Sequence, residues 1–251
     1  MKHLGIEITK PRIAVFDFTC CEGCELQLAN KEDTLPDFLS LIEIVNFREV
    51  SSDKSDEYDI ALIEGSISRD DEIKRLKDIR SKAKVLVAIG ACACFGGVNQ
   101  IKNKFPLKKV IKEVYGKHKV DTSKVKKISE IVKVDLEIPG CPISKKEVEQ
   151  IIVDVVTGAD IQLPQYPVCL ECKQNCTLCV LDMDQICLGP ITRAGCTAPC
   201  PAGGTGCLGC RGPAPDANYD SFLSMLKQRG FNMHQIKERM EFYGAFNEVL
   251  K

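Results

Sequence analysis

Nine cysteines lie within 42 residues of this 251-residue chain, in the segment that begins at Cys169 and ends at Cys210. Cys169 and Cys172 form one C-x2-C pair, and Cys207 and Cys210 form another. The opening residues lack the apolar run of a secretion signal, so we expect a cytoplasmic chain. Fifteen cysteines, an odd number, do not suit a disulfide framework in a reducing compartment. Thiols at ligand spacing predict metal sites instead.

The nine thiols of this segment suffice for two four-thiolate sites with one thiol to spare. Cys196-x3-Cys200, followed by Pro201, has the spacing that ends a bacterial ferredoxin motif, and Cys207 and Cys210 complete a set of four. The other set contains Cys169, Cys172, Cys179 and Cys187. Two zinc ribbons are the alternative, because paired C-x2-C motifs are also typical of them.

Which thiol of the segment is the spare one does not follow from spacing. Cys176 could pair with Cys179 as a further C-x2-C, or lie unused on a loop. Both interpretations stay open on the residues alone.

Six further cysteines lie upstream, and each follows a predicted strand. Cys20, Cys21 and Cys24 follow the strand candidate 12–18, Cys92 and Cys94 follow 84–89, and Cys141 follows 132–138. Ligands of open parallel sheets bind beyond the carboxyl ends of the strands, so these three loops can meet. Cys21 and Cys24 with one thiol from each other loop would form a third four-thiolate site, for an iron–sulfur cluster or zinc. Three such sites in one chain favour a series of redox clusters over three structural zinc ions.

Neighbouring residues refine this third site. The glycines of "GACACFGG" (90–97) allow the backbone to approach a cluster closely. Cys94 and Cys20 are expected to pack as small buried side chains. Glu64 ends a predicted strand near the site, where it either assists the site or bonds loop amides as an exposed carboxylate.

Strand and helix patterns alternate up to about residue 165 and predict the elements that position these loops. The strand candidates are 12–18, 41–47, 59–63, 84–89 and 132–138. Ser68 is the expected N-cap of one helix, and Ser144 with Glu147 predicts another that ends at Gly158. The pattern is typical of an α/β protein with a doubly wound parallel sheet.

From residue 166 the chain is rich in Gly, Pro and Cys and has little periodicity up to residue 215. Two short helices are expected after it, at 220–228 and from 232 to about 243. A formal charge of −1 argues against nucleic-acid binding, and no apolar stretch is long enough for membrane insertion.

The motifs "CCEGCELQL", "EGSIS", "GACACFGG", "PGCP" and "CLGPITRAGC", with the later "CP" and "CLGC", carry a resemblance. Together they resemble the small, or delta, subunit of cytoplasmic nickel–iron hydrogenases of the sulfhydrogenase type, over residues 12–245. The resemblance implies a flavodoxin-like domain, 1–165, with a proximal 4Fe–4S cluster. It also implies a small irregular iron–sulfur domain with short helices, 166–251, that holds a medial and a distal cluster.

The resemblance also assigns the ligands. The proximal set is Cys21, Cys24, Cys92 and Cys141; the distal set is Cys169, Cys172, Cys179 and Cys187; the medial set is Cys196, Cys200, Cys207 and Cys210. Cys176 is then the spare thiol. Periplasmic relatives have a distal histidine where Cys169 stands, and a three-iron medial cluster where Cys200 adds a fourth thiolate. Both departures favour three 4Fe–4S clusters.

In this family the nickel–iron centre belongs to a separate large subunit, so the resemblance implies no catalytic residue in this chain. It implies electron relay between that centre and a nicotinamide- or ferredoxin-linked partner, through a further iron–sulfur or flavin subunit. The alternative is the iron–sulfur subunit of a related redox complex that does not use hydrogen. The cluster-bearing subunit of respiratory complex I shares the upstream motifs, and Cys20-Cys21 matches its tandem cysteines, but it lacks the C-terminal cysteine segment.

Overall fold

A computed structural model of the chain describes residues 10–30, 40–52 and 54–250. It divides the chain into two compact units, Met1–Gln162 and Leu163–Lys251. Residues 1–9, on which much of the expectation about a secretion signal rests, lie outside the described residues.

The first unit is built on a sheet of five parallel strands. The strands are β1 (Arg12–Asp17), β2 (Glu43–Asn46), β3 (Ile60–Glu64), β4 (Val85–Ile89) and β5 (Leu136–Ile138). Their order is β2-β1-β3-β4-β5, the flavodoxin-like order, and all neighbours are parallel. Every residue of β3 and β4 is buried, which explains their continuous apolar sequences. The doubly wound α/β fold expected from the sequence is confirmed.

Helices cover this sheet. They are α1 (Gly23–Ala29), α2 (Asp70–Lys82), α3 (Gly90–Phe95), α4 (Leu107–Tyr115) and α5 (Lys145–Thr157). Ala61 and Ile63 share one core cluster with Leu76 and Ile79 of α2, because alternate strand residues face the same side. At α5 the Ser144 side chain accepts the Glu147 amide and Gly158 ends the helix with φ 75°, as expected.

The start of α2 differs from the expectation. Its N-cap is Arg69 rather than Ser68. The Glu72 carboxylate accepts hydrogen bonds from the amides of Ser68 at 2.8 Å and Arg69 at 3.0 Å. Ser68 instead shares a hydrogen bond with the Thr19 hydroxyl at 2.7 Å. The hydrogen bonds at the start of α2 are therefore made by the carboxylate of Glu72, inside the helix, and not by the side chain of Ser68.

Strand β5 is shorter than its sequence pattern predicts. It covers residues 136–138 instead of 132–138. Val132 and Val134 pack against the core cluster without pairing to β4. The Asp135 side chain accepts the Leu86 amide at 2.9 Å, in the place where a strand carbonyl would bond. The alternation of apolar and polar residues alone does not reveal at which residue β5 begins to pair with β4.

The second unit contains the short helices α6 (Val168–Gln174), α7 (Pro199–Ala202), α8 (Tyr219–Gln228) and α9 (Met233–Met240). Its core includes Leu188, Ile191, Phe222, Leu226, Ile236 and Phe246. Asn218 and Asn232 cap α8 and α9, and α9 ends three residues before the expected Tyr243. In the described ranges, no helix combines the length and apolar character that crossing a membrane requires.

Candidate functional site

The first cysteine group lies at the carboxyl ends of the strands of the first unit. Cys21 lies in the loop after β1, Cys24 in α1, Cys92 in α3 directly after β4, and Cys141 shortly after β5. Burial, and then the neighbouring thiolates of Cys141 and Cys21, raise the pKa of Cys92 to about 12. Burial, Glu64 and, more weakly, Cys141 raise the pKa of Cys24. The fold thus brings together the four thiols that the resemblance groups.

Two glycines leave room directly beside these sulfurs. A Cβ atom at Gly90 would lie 2.5 Å from Cys24 Sγ, and one at Gly97 would lie 2.5 Å from Cys92 Sγ. Both glycines also have positive φ, 83° and 62°. Any larger residue would push the sulfur away, so these positions require glycine for space and for conformation.

Glu64 fixes the loop between β1 and α1. One carboxylate oxygen accepts the Cys24 amide at 3.1 Å and the other accepts the Glu25 amide at 2.7 Å. The side chain is buried, at 2% exposure, and burial raises the pKa of Glu64. Glu64 therefore bonds loop amides, as one interpretation of the sequence expected, but it does so as a buried carboxylate and not as an exposed one.

Glu25 is a second buried acid at this site that sequence reasoning missed. It is 1% exposed, and burial followed by the charge of Glu64 raises the pKa of Glu25 to about 8. Its Oε1 has no hydrogen-bond partner in the described ranges. Only its position next to Cys24 could have drawn attention to it.

Cys94 differs in its surroundings from the four grouped thiols, whereas Cys20 is influenced by one of them, Cys92. Cys94 is 1% exposed, belongs to the core cluster, and has its Sγ 3.6 Å from the Ala88 carbonyl oxygen. Cys20 is half-buried, and burial followed by Glu64 raises its pKa to about 12. Cys94 thus packs as a small core side chain.

A second cysteine group surrounds α6 in the second unit. α6 carries Cys169 and Cys172 one helical turn apart. Burial, followed by Cys187, Cys172 and Cys179, raises the pKa of Cys169 to about 12. A Cβ at Gly189 would lie 3.3 Å from Cys187 Sγ and 3.4 Å from Cys169 Sγ, so both sulfurs lie beside Gly189.

Cys176 differs in its environment from the thiols of the second group. It is exposed and has a positive φ of 52°. Cys179 is among the main influences on the pKa of both Cys169 and Cys187, and Cys176 is not. The environments of Cys176 and Cys179 therefore differ, although the spacing of the sequence could not distinguish the two.

The third cysteine group consists of two pairs. Burial is the main cause of the raised pKa of Cys196, and the neighbouring thiolate of Cys200 raises that pKa further. Burial, followed by Cys187 and Cys210, raises the pKa of Cys207. Arg211, which follows Cys210, connects the two pairs. Its Nε donates a hydrogen bond to the carbonyl of Ala194, two residues before Cys196, at 2.7 Å.

Two buried charged residues flank Cys196 and were not anticipated. Glu171 accepts the Gly195 amide at 2.8 Å and lies 4.0 Å from Cys196 Sγ. Arg211 is 2% exposed, and its charge lowers the pKa of Cys196 against the effect of burial. Glu171 stands within the cysteine segment and Arg211 directly after it, and neither residue belongs to a thiol spacing that would have drawn attention to it.

The second and third groups meet through the backbone. The Cys207 amide donates to Cys187 Sγ at 3.2 Å, and the Leu188 amide donates to the Cys207 carbonyl at 3.0 Å. Amide donors at thiolate sulfurs stabilise the negative charge of metal-bound sulfur.

The donor chemistry of all three groups fits iron–sulfur clusters. Burial raises the pKa of several of these thiols, so they ionise only when a positively charged centre replaces the proton. In the described part of the chain, no three His, Cys, Asp or Glu side chains are arranged to hold a single metal ion.

Comparison with known proteins identifies the family. The family described as "NADH ubiquinone oxidoreductase, 20 Kd subunit" matches residues 21–155. Sulfhydrogenase 2 subunit delta of Pyrococcus furiosus is 41% identical over 221 residues, which cover 86% of this chain and 92% of that protein. A subunit of the F420-non-reducing hydrogenase of Methanocaldococcus jannaschii is 29% identical, over 80% of this chain and 81% of its own length.

A solved structure agrees with these relatives. A chain of an NAD+-reducing [NiFe]-hydrogenase in the H2-reduced state superposes with a TM-score of 0.56 and 27% identity. The match covers 62% of this chain and 96% of that chain. The chain belongs to the family of the NADH ubiquinone oxidoreductase 20 kDa subunit and, within it, is a small subunit of the hydrogenase type.

Proposed function

We propose that this chain is the electron-transfer small subunit of a cytoplasmic nickel–iron hydrogenase. It relays electrons through three 4Fe–4S clusters, between a nickel–iron centre on a large subunit and a nicotinamide- or ferredoxin-linked partner. The observation that carries the proposal is that buried thiols influence one another within the first two groups, Cys92 with Cys141 and Cys21, and Cys169 with Cys187, Cys172 and Cys179. In the third group the influences are pairwise, between Cys196 and Cys200 and between Cys207 and Cys210.

The proposed ligands follow these groups. The proximal cluster would be held by Cys21, Cys24, Cys92 and Cys141, the distal one by Cys169, Cys172, Cys179 and Cys187, and the medial one by Cys196, Cys200, Cys207 and Cys210. The first set belongs to a flavodoxin-like domain, 1–165, and the other two to an iron–sulfur domain, 166–251. No residue of this chain is proposed to be catalytic.

Iron–sulfur clusters supply one-electron transfer at potentials that depend on charge, hydrogen bonds and exposure. The chain's own residues would set those conditions. Glu64 holds the Cys24 loop in place, and the Cys207 amide donates to Cys187 Sγ. Arg211 brings a buried positive charge next to Cys196, which favours the reduced, more negative state of a cluster there.

The partners follow from the same proposal. The first cysteine group would face a large subunit that carries the nickel–iron centre, and the outgoing electron would pass to a further iron–sulfur or flavin subunit. Neither nucleic acid nor membrane insertion is part of the proposed function.

A related redox complex that does not use hydrogen is the second candidate. The family match to the 20 kDa subunit of NADH ubiquinone oxidoreductase favours it, because that match covers the first cysteine group. The match ends at residue 155, before the nine cysteines of the second unit. Those cysteines, together with the 41% identity to a hydrogenase delta subunit across both units, favour the hydrogenase.

The test has two parts: metal analysis of this chain after anaerobic reconstitution, and anaerobic purification of its complex through a tag on this chain. Three 4Fe–4S clusters predict about twelve iron and twelve sulfide per chain, and a broad absorption near 400 nm that bleaches on reduction. A co-purifying nickel-bearing subunit distinguishes the hydrogenase from the related complex. About eight iron per chain, with zinc in the remaining site, would contradict the three-cluster proposal.

A further inference from the structure

The connection between β4 and β5 contains a strongly basic segment. Residues 102–127 include ten lysines but only two acidic residues, Glu113 and Asp121, although the whole chain has a formal charge of −1. We call this range the lysine segment. Such a concentration of one charge produces a local positive potential that the net charge of the chain conceals.

Most of these lysines are exposed and have no carboxylate beside them. The exposed lysines without an ion pair among the described residues are Lys108, Lys109, Lys112, Lys117, Lys119, Lys124 and Lys126. Elsewhere in the same unit, Arg80 pairs with Asp135 at 2.7 Å and Lys84 pairs with Asp59 at 2.8 Å. The lysine segment thus keeps its charge available for a partner, at the cost of repulsion within the segment.

Helix α4 lies within this segment and has a partly exposed apolar stripe. Its apolar residues recur at helical spacing: Leu107, Val110 and Ile111 are half-buried, and Val114 is exposed. Val114 is 65% exposed, and Phe105 just before the helix is 53% exposed. The stripe and the lysines together form a surface with an apolar part and a basic part.

The residues just before the lysine segment lie beside the first cysteine group. The Asn99 side chain donates to the Thr19 carbonyl at 2.8 Å and to the Ser66 hydroxyl at 3.0 Å, and it lies 3.9 Å from Cys92 Sγ. Asn103 near the start of the segment and Val125 near its end exchange hydrogen bonds of 2.8 and 2.9 Å, so the two ends of the segment lie together. A protein that binds the lysine segment would therefore lie close to that cysteine group.

We infer that the lysine segment docks against an acidic face of the partner subunit that exchanges electrons with the first cysteine group. The inference rests on the proposed function, because it assigns a surface to the partner named there. Interfaces place apolar side chains at the centre and charged ones at the rim, where complementary charge steers association. The α4 stripe and the surrounding lysines match that arrangement.

An anionic membrane surface fits the same charge less well. Helices that lie in a membrane interface expose a large apolar face, commonly with Trp or Phe at the lipid boundary. α4 has only nine residues, and of its apolar stripe only Val114 is exposed, so with Phe105 beside it the apolar face is small. A protein partner therefore suits the size of the apolar stripe better.

The intact complex can be tested by cross-linking with a water-soluble carbodiimide. This reagent joins a lysine amine to a carboxylate as an amide, with loss of water and no spacer, so only paired groups react. Mass spectrometry should find Lys108, Lys109 and Lys112 joined to aspartates or glutamates of the partner subunit. In the triple Lys→Arg variant of these positions the cross-links should be lost while the complex stays intact, because arginine keeps the charge without the amine.

Charge reversal supplies the second measurement. The variant Lys108→Glu/Lys109→Glu/Lys112→Glu should dissociate from its partner at a lower salt concentration than the parent complex. The matched control Lys74→Glu/Lys77→Glu/Lys146→Glu removes three exposed lysines elsewhere and should dissociate as the parent does.

The outcomes separate this inference from the proposed function. A nickel-bearing complex that forms normally but shows no cross-link from the lysine segment would overturn the inference and leave the function standing. Binding of the complex to phosphatidylglycerol vesicles, lost in the reversal variant, with no cross-links to the partner, would overturn it in favour of a membrane. Absence of any nickel-bearing partner would overturn both.

Discussion

The buried carboxylate of Glu64 holds the backbone amide of Cys24 at 3.1 Å, and so fixes the start of α1 from the end of the neighbouring strand β3. Its second oxygen holds the next amide, that of Glu25, at 2.7 Å. β1 and β3 are adjacent in the sheet, and the chain order reverses between them. One side chain thus locks the loop at the switch point of the sheet, where ligands of this fold class bind.

Replacing Glu64 by Gln should weaken that lock. Glutamine offers one acceptor oxygen, so one amide would face an NH2 group, at a cost of about 1.5–3 kcal/mol for a hydrogen bond to a charged group. We expect iron to fall by about four atoms per chain, with the other two clusters retained. Iron analysis and electron paramagnetic resonance measure this loss. Glu57→Gln, at an exposed carboxylate, is the control and should keep all its iron; equal iron in all three proteins would show that Glu64 is dispensable.

The variants Cys176→Ser and Cys179→Ser should behave differently. Cys179 is among the main influences on the pKa of both Cys169 and Cys187, whereas Cys176 is not. Serine keeps the size of the side chain but is a poor ligand for a soft metal site. Cys176→Ser should retain full iron and near-normal electron transfer, and Cys179→Ser should damage or lose one cluster. The reverse result would make Cys176 the ligand.

Cys200→Pro should convert one cluster towards a three-iron form. Cys200 lies at the second position of α7, where an amide has no partner within the helix, so proline should be tolerated there. Three thiolates would remain in that group. The oxidised variant should show a new paramagnetic resonance signal that the parent lacks. An unchanged oxidised spectrum with intact iron content would mean that the ligand assignment is wrong.

Asp59 should make stability depend on pH at the opposite end of the sheet. Burial opposes its ionisation, but the Lys84 ammonium and the Arg12 amide lower the pKa of Asp59 below its ordinary 3.8. A lowered folded pKa gives stability that is present above the unfolded value and lost as the pH falls through the folded value. Asp59→Asn should therefore cost about 2 kcal/mol at pH 7 and progressively less below pH 4.

The measurement for Asp59 is urea unfolding of parent and variant across that pH range, with exposed Asp78→Asn as the control. A difference between parent and Asp59→Asn that stays constant down to pH 3 would argue against this ion pair as the cause.

The sequence predicted the elements that carry the first cysteine group, and the reason is physical. Strands β3 and β4 are buried throughout, so their apolar runs are unambiguous. A parallel sheet sends all its carboxyl ends to one edge, which brings loops distant in sequence together. Cys92 and Cys141 could thus be placed near Cys24 without knowledge of any distance.

Features that depend on tertiary contacts were missed. For Glu64 the sequence left open whether it assists the site or bonds loop amides as an exposed carboxylate, and it did not predict burial, because nothing local signals which elements cover the side chain. Helix α6 was not expected, because Cys169 and Cys172 were considered as ligands rather than as residues one helical turn apart. The seven cysteines that remain in that segment have no periodicity that could order them, so their grouping rested on resemblance.

The hydrogen bond between the Cys207 amide and Cys187 Sγ has a consequence for tunnelling. Electrons cross proteins most readily along continuous bonds, and each gap through space slows them sharply. From the sulfur of Cys187 the path runs across one hydrogen bond, then through the N–Cα, Cα–Cβ and Cβ–Sγ bonds of Cys207, to the sulfur of the other group. With clusters bound as proposed, a single residue would bridge donor and acceptor without a jump through empty space.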